Sequence, residues 1–193
     1  MLGNDLIDLQ ETKQSTNWQR PGFLDKVFSQ TEQAEIHKSK NSFELVWRFW
    51  SMKESAYKVS IQYGYERSFK PSAILCTAIT STKGRATIGA LTLETETKMN
   101  EHFILTVASQ KNAPSIRSFT FELPKQDLKT QSKTIYTQIL NQIAEETQWN
   151  IKDLSIGKTS ENIPYISHKN KRIEKYLSIS HHGKYGVFSI LNS

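Results

Sequence analysis

Two acidic residues lie close together near the start of the chain. Residues 3–9, GNDLIDL, place Asp5 and Asp8 at the end of an otherwise apolar stretch that predicts a short β-strand. Carboxylates in such a position can hold a divalent cation or exchange a proton with a substrate. Acids at strand ends also serve as solvated or helix-capping residues. The segment is therefore a candidate site, and its residue types alone do not decide between these roles.

A glutamate and a lysine are paired in the middle of the chain. Residues 50–58, WSMKESAYK, predict a helix in which Glu54 and Lys58, four positions apart, share one face. A carboxylate and an ammonium group on one face suit cation binding and phosphate binding. The same spacing also gives an ordinary surface ion pair worth about 0.2–0.5 kcal/mol. Spacing alone leaves both interpretations open.

A third candidate segment, residues 178–183, contains two adjacent histidines. Side chains alternate along a strand, so Ser180 and His181 can face one site only where the strand ends. The same alternation makes His181 and His182 a poor pair of zinc ligands, and the chain has one cysteine, Cys76, so no zinc-binding spacing is present. Neighbouring serine and histidine residues also rarely have the geometry of a nucleophile and its base.

Capping signals and periodicity predict the elements that must position these segments. Ser29 and Glu32 form a capping-box pattern, which predicts a short helix to about residue 38. Apolar residues at helical spacing predict a long helix to about residue 61. Strands are predicted over residues 2–9, 73–80, 85–94, 102–109, 116–123, 176–181 and 187–191.

The remaining signals divide the chain into two parts. Lys83-Gly84 is the predicted turn between the second and third strands, and Asn112-Ala113-Pro114 is a plausible boundary. Beyond that boundary, Ile135, Ile139 and Ile143 predict an amphipathic helix. Each part is predicted to pack helices on a small antiparallel sheet, which is the α+β class.

Length and composition exclude several classes of protein. The chain has 193 residues with 37% hydrophobic and 23% charged residues, which is typical of a globular protein. No apolar stretch is long enough to span a membrane, and the first residues lack a signal-peptide pattern. A single cysteine excludes an intramolecular disulfide and fits a cytoplasmic location.

The net charge of +6 is concentrated in the second part of the chain. Residues 1–110 hold 13 basic and 12 acidic side chains, whereas residues 111–193 hold 12 and 7. This asymmetry suggests a polyanionic partner, such as nucleic acid, a membrane surface or a phosphorylated ligand. A solvated basic face explains the same asymmetry, so charge alone does not decide between a polyanionic partner and a solvated surface.

Together, the three segments resemble the signatures of the 4′-phosphopantetheinyl transferases. That family has a Gly-x-Asp strand, a Trp/Phe-Ser/Thr-x-Lys-Glu-Ala/Ser-x-x-Lys helix and a Ser-x-Ser-His strand. This chain has GND at residues 3–5, WSMKESAYK at 50–58 and SISH at 178–181, and residues 23–32 resemble the segment between the first two. The Lys-Glu-x-x-x-Lys helix is the most specific element of the resemblance.

The resemblance implies an α+β fold of two similar lobes that form a pseudo-dimer, with lobes at residues 1–112 and 113–193. In two-lobed, surfactin-type members the Ser-His strand comes early, whereas here it comes last. Because residues 138–165 also look like part of that early half, residues 113–193 are interpreted as a first lobe moved to the end. The alternative is a holo-acyl-carrier-protein-synthase-type chain with an insertion. A pseudo-dimer is expected to work as a monomer, and a short-type chain would have to associate.

The implied activity is transfer of the 4′-phosphopantetheine group from coenzyme A to a serine hydroxyl of an acyl or peptidyl carrier protein. Adenosine 3′,5′-bisphosphate is the second product. By resemblance, Asp5 and Glu54 would hold Mg²⁺, and Glu54 would also accept the serine proton. Lys58 would reach the pyrophosphate, which makes Asp5, Glu54 and Lys58 the expected catalytic residues.

Further residues are expected, by the same resemblance, to bind coenzyme A. Lys53 would contact phosphate, as Lys58 does, and Ser180 and His181 would bind the end that carries the 3′-phosphate. Asp8 is a weak candidate to support the metal, because strand alternation turns it away from Asp5.

Two positions depart from the family pattern. Where two-lobed members often have a second acid after the aspartate, this chain has Ile7, which cannot bind metal. Where members tend to have Gly-Lys-Pro, the chain has Asn162-Ile163-Pro164 and so lacks one lysine for phosphate. The basic residues that are candidates to compensate are Lys158, Lys169 and Arg172.

Two rival functions are weighed against the transferase. A basic nucleic-acid-binding module would suit the charge and the tryptophans, but no zinc-finger spacing, RNP motif or helix-turn-helix supports it. A family member without activity, which only binds the carrier or coenzyme A, is disfavoured because Asp5, Lys53, Glu54 and Lys58 occur together. The expected partners are thus coenzyme A and a carrier protein, with neither nucleic acid nor membrane.

Overall fold

The computed structural model describes residues 1–124 and 127–192. The elements of the N-terminal half, residues 1–112, are in chain order β1 (Leu2–Asp8), α1 (Leu9–Ser15), α2 (Phe23–Val27), α3 (Gln30–Lys38), α4 (Ser42–Gln62), β2 (Ile74–Ala78), β3 (Lys83–Ile88), β4 (Leu91–Met99) and β5 (Phe103–Ser109). Those of the C-terminal half, residues 113–193, are β6 (Ile116–Glu122), α5 (Leu128–Thr147), β7 (Leu154–Lys158), β8 (Pro164–His168), β9 (Lys171–Arg172), β10 (Lys175–His182) and β11 (Tyr185–Asn192).

The N-terminal half contains one five-stranded sheet, and the C-terminal half contains two three-stranded sheets. In the N-terminal half the strand order is β1-β5-β4-β3-β2, so that the first strand pairs with the last. In the C-terminal half β6 likewise pairs with β11, and β11 pairs with β10. Strand β8 then packs beside β10 and pairs with β7. All these ladders are antiparallel, which confirms the predicted α+β class with antiparallel sheets.

Helix α4 forms because it has capping residues at its ends and because one of its faces is apolar. The Asn41 side chain accepts a hydrogen bond from the Glu44 N–H at the start, and Gly64 takes a positive φ of 82° just after the end. The side chains that it buries completely against the first sheet are Val46, Phe49, Met52, Ala56 and Val59. Burial of each large apolar side chain contributes about 1.5–3 kcal/mol.

Helix α4 packs unusually close to β1 at Gly3. A Cβ atom on Gly3 would lie 2.1 Å from the Ser55 carbonyl oxygen, so no larger residue fits there. This close approach brings the α4 residues after Ser51 next to β1, and the Ser51 hydroxyl donates to the Asp5 carbonyl oxygen at 3.2 Å. The glycine of the Gly-x-Asp segment therefore sets the distance between the strand and the helix.

The predicted turn at Lys83-Gly84 is wrong. Both residues lie in β3, and the chain turns instead before Lys83 and again at Gly89, where φ is 57°. Gly84 is small for another reason, because a Cβ there would lie 2.6 Å from the Met52 side chain and 2.8 Å from the Thr77 carbonyl oxygen. The single strand expected over residues 85–94 is accordingly two strands, β3 and β4.

Helix α5 covers the second sheet with the predicted isoleucine stripe. Ile135, Ile139 and Ile143 are almost completely buried and pack with Phe188 and Ile190 of β11.

A separate apolar cluster joins the two halves, where Leu6 and Leu105 meet Tyr185 and Val187. The junction is thus a packed contact between the first sheet and β11.

Among the described residues, we find no helix that is both long enough and apolar enough to cross a bilayer.

Candidate active site

Glu54 and Lys58 lie on the side of α4 that faces the junction of the two halves. The Lys58 ammonium donates to the Asn4 carbonyl oxygen at 2.7 Å and to the Ile179 carbonyl oxygen at 3.2 Å. It therefore connects β1 of the N-terminal half with β10 of the C-terminal half. Glu54, one helical turn earlier, is part-buried on the same face.

Asp5 is buried at the centre of this junction. One carboxylate oxygen, Oδ1, accepts from the Ser180 hydroxyl at 3.3 Å. The other, Oδ2, is buried and has no hydrogen-bond partner among the described residues. Burial raises the pKa of Asp5, and the positive charge of Lys58 opposes that increase.

Asp5, Glu54 and Lys58 are close enough for the charge of each to affect the pKa of the others. Burial and then the negative charge of Asp5 raise the pKa of Glu54 to about 7, while Lys58 opposes this shift. Burial lowers the pKa of Lys58, and the charges of Asp5 and Glu54 act in the opposite direction. Two carboxylates and one ammonium group thus share a poorly solvated space.

Ser180 and His181 reach the same junction from β10. Ser180 is 8% exposed and bonds to Asp5, whereas His181 is solvent-exposed near the end of the strand. Partial burial lowers the pKa of His181, followed by the positive charges of Lys58 and His182. The structure therefore brings Asp5, Glu54 and Lys58 together with the serine and histidine of the third segment.

Lys53 does not reach this cluster, which corrects the expected phosphate contact. Its side chain is completely buried, and its ammonium group bonds to both oxygens of Glu32, at 2.8 and 2.9 Å, and to the Ile74 carbonyl oxygen. Glu32 in turn accepts from the N–H groups of Cys76 and Ser29, both at 2.7 Å. Lys53 is therefore part of a buried ion pair that joins α3, α4 and β2.

Asp8 is used in a different way from Asp5. Its Oδ1 accepts from the N–H groups of Gln10 and Glu11, so that it caps α1, and its Oδ2 accepts from the Lys184 N–H at 3.1 Å. Both carboxylate oxygens of Asp8 thus accept backbone hydrogen bonds, whereas Oδ2 of Asp5 accepts none from the described residues.

Three residues that bond across the junction were not expected from the sequence to do so. Asn4 and Ser178 form several hydrogen bonds with each other across the junction. His182 accepts a hydrogen bond at Nδ1 from the Asp8 N–H at 2.9 Å. Because these pairs are more than 170 positions apart in the chain, only the docking of the two halves reveals them.

The basic residues that were expected to compensate for a missing lysine lie around strand β8. Lys158 is directly opposite Pro164 in the β7–β8 ladder, close to the Asn162-Ile163-Pro164 turn. Lys169 lies at the other end of β8, 4.0 Å from Asp153, and the Arg172 guanidinium lies 5.2 Å from the centre of the Tyr165 ring. Of the three candidates, Lys158 is thus placed nearest to the altered turn.

The carboxylates of Asp5 and Glu54 fit a magnesium ion whose remaining ligands come from water and substrate. Within residues 1–124 and 127–192, no group of three or more His, Cys, Asp or Glu side chains is arranged to hold a metal ion without further ligands. Mg²⁺ commonly uses only one or two carboxylates and takes its other ligands from water and substrate phosphate. The unpartnered Oδ2 of Asp5, with Glu54 beside it, is a donor set of this kind.

The junction between the two halves thus places two carboxylates and a lysine together within an α+β fold. The chain belongs to the 4′-phosphopantetheinyl transferase superfamily, whose family model matches residues 1–113. The matched part includes Asp5, Glu54 and Lys58. A search of curated proteins gives no match to this chain. Membership supports phosphopantetheine transfer as the general activity.

Proposed function

We propose that this protein transfers 4′-phosphopantetheine from coenzyme A to a serine hydroxyl of an acyl or peptidyl carrier protein. The observation that carries the proposal is the meeting of Asp5, Glu54 and Lys58 with Ser180 and His181 at one junction. The acceptor oxygen attacks the phosphorus that bears the pantetheine, a new P–O bond forms, and the bond to the bridging oxygen breaks. Adenosine 3′,5′-bisphosphate leaves with that oxygen.

Glu54 is the residue that we assign to the proton of the attacking hydroxyl. A general base works best when its pKa is close to the working pH, and without a bound cation burial and the charge of Asp5 raise the pKa of Glu54 to about 7. The proton moves from the serine hydroxyl to the Glu54 carboxylate, directly or through water.

Lys58 and the two carboxylates are assigned to the charge of the pyrophosphate. The Lys58 ammonium is held between two carbonyl oxygens at the junction, so it is already oriented before substrate binds. Asp5 and Glu54 would hold Mg²⁺, which would offset negative charge on the phosphates when bound. Ser180 and His181 are assigned to the end of coenzyme A that carries the 3′-phosphate.

The organisation of the chain is proposed to be a pseudo-dimer with domains at residues 1–112 and 113–193. In both halves the first strand pairs with the last, β1 with β5 and β6 with β11, and this shared pairing supports the interpretation. It also favours the permuted arrangement over a short chain with an insertion. Because one chain supplies both sides of the junction, the protein is proposed to act as a monomer. The positive balance of residues 111–193 would suit an acidic carrier protein.

The role of His181 gives a direct test of the coenzyme A site. We expect His181→Ala to raise the dissociation constant for coenzyme A about tenfold, as loss of one hydrogen bond to a charged group predicts. The maximal rate should change much less, because His181 is not assigned to the reacting atoms. Titration calorimetry and initial rates measure the two effects separately.

The matched control is His102→Ala, because His102 is an exposed histidine just before β5 and its loss should leave both quantities unchanged. An unaltered dissociation constant in His181→Ala would remove His181 from the site. No measurable binding of coenzyme A to the wild-type protein would contradict the proposed function.

A further inference from the structure

Strands β1 and β10 lie side by side without a backbone ladder. Each is an edge strand of its own sheet. Hydrogen bonds nevertheless join Asn4 to Ser178, Asp5 to Ser180 and Asp8 to His182, so the pairing keeps an almost constant separation of 174 or 175 positions. The two strands therefore run in the same direction. Their register is not fixed by the regular bonds that align strands within a sheet.

Asn4 uses its whole side chain to hold this register. Its Nδ2 donates to the Ser178 carbonyl oxygen at 3.1 Å and to the Ser189 hydroxyl at 2.9 Å. Its Oδ1 accepts from the Ser178 hydroxyl at 3.0 Å, and its backbone N–H donates to the same hydroxyl at 2.9 Å. The Ser189 hydroxyl lies a further 2.8 Å from that of Ser118. The network thus links β1 with β10, β11 and β6.

The network is buried, and both polar atoms of the Asn4 side chain are hydrogen-bonded. Asn4 and Ser189 have no exposed surface, and Ser178 is 3% exposed. A buried amide whose nitrogen and oxygen are both bonded is a specific contact, because any shift between the strands would leave polar groups without partners. Lys58 also connects β1 with β10, because its ammonium group bonds to the Asn4 and Ile179 carbonyl oxygens.

We infer that Asn4 is a positioning residue, which aligns Asp5, Glu54 and Lys58 of one half with Ser180 and His181 of the other. The inference rests on the proposed function. A slip of one residue would move Ser180 about 3.3 Å along β1 and turn it to the other face. A displacement of about 1 Å already reduces the rate of a positioned reaction about 100-fold.

The test is Asn4→Leu, which keeps a similar volume and removes the amide. We expect kcat/KM for coenzyme A to fall about 100-fold, with a raised KM and a lowered kcat, because the substrate would contact both halves. Folded protein is confirmed by circular dichroism and urea unfolding. A residue that only stabilised the fold would reduce the amount of active enzyme and leave KM unchanged, so the change in KM separates the two roles.

Ser189→Ala is the milder second variant, because it removes one bond of Asn4 and leaves those to Ser178. It should give a smaller loss in the same direction. The matched control is Thr147→Val, which removes the hydroxyl bond to the Ile143 carbonyl oxygen within α5 and should lower stability without changing KM or kcat.

The outcomes separate this inference from the proposed function. If the wild-type enzyme transfers phosphopantetheine, and folded Asn4→Leu or Ser189→Ala keeps wild-type KM and kcat, the inference is overturned and the function stands. If the wild-type protein neither transfers the group nor binds coenzyme A, the proposed function fails and the inference fails with it.

Discussion

Replacing Glu54 by glutamine is expected to lower the transfer rate about 10²–10⁴-fold, the usual contribution of a general base. Glutamine keeps the shape of the side chain but cannot take up the serine proton, and it is a weaker ligand for a cation. The initial rate of transfer at saturating coenzyme A and carrier protein measures this loss. A folded Glu54→Gln protein with full activity would contradict both roles assigned to Glu54.

The same substitution should stabilise the protein without substrate above neutral pH. The pKa of Glu54 is raised from 4.5 to about 7 on folding, so the folded state keeps a proton that the unfolded state releases. The free energy of unfolding therefore falls as the pH rises from about 4.5 to about 7. At pH 8 the raised pKa of Glu54 lowers the free energy of unfolding by up to about 3 kcal/mol. Glu54→Gln removes that cost.

Urea unfolding at pH 5 and pH 8 measures this effect on stability. The wild type should lose stability between the two pH values relative to Glu54→Gln. The matched control is Glu44→Gln in the first turn of α4, where the negative charge interacts favourably with the helix dipole. It should be slightly destabilising and should leave transfer unchanged. A Glu54→Gln protein that is less stable than wild type at pH 8 would contradict the unfavourable burial of this carboxylate.

Lys53→Met is expected to destabilise the protein by about 3–5 kcal/mol, the usual cost of breaking a buried ion pair. The substitution leaves the Glu32 carboxylate buried with only its N–H donors from Cys76 and Ser29. Adding Glu32→Gln should restore much of the loss, because the uncompensated charge is then removed. Urea unfolding of the single and double variants measures both effects.

The turnover of folded Lys53→Met protein should be close to that of wild type, because Lys53 does not reach the junction. Lys58→Met, the same change five residues later, is the matched comparison and should lose transfer. If Lys53→Met kept its stability and lost transfer, Lys53 would have the phosphate contact that the family resemblance implied.

Helix α4 was predictable because its signals are local. Apolar spacing and the break after Gln62 lie within one segment, and the helix runs from Ser42 to Gln62 as a single element. The spacing of four also placed Glu54 and Lys58 correctly on one face. Lys53 is one position before Glu54 and so points about 100° away around the helix, which sends it into the core. The phosphate contact expected of Lys53 rested on its residue type and did not consider its position around the helix.

The turns and the junction were less predictable for a different reason. A glycine suits either a turn or a close contact: Gly84, which was expected at a turn, makes close contacts, and a turn lies at Gly89 within the strand expected over residues 85–94. The bonds of Asn4 to Ser178 depend on how two distant halves of the chain dock. No local pattern in the sequence contains that information.

The most direct test of phosphopantetheine transfer is intact-mass spectrometry of an apo carrier protein after incubation with this protein, coenzyme A and Mg²⁺. We expect that fatty-acid or peptide-synthesis carriers gain the mass of one phosphopantetheine, and that a chelator prevents the gain. The gain should be absent with Glu54→Gln. If no carrier of either kind gains mass, although the wild-type protein is folded and Mg²⁺ is present, the claim that this protein transfers phosphopantetheine to carriers is contradicted.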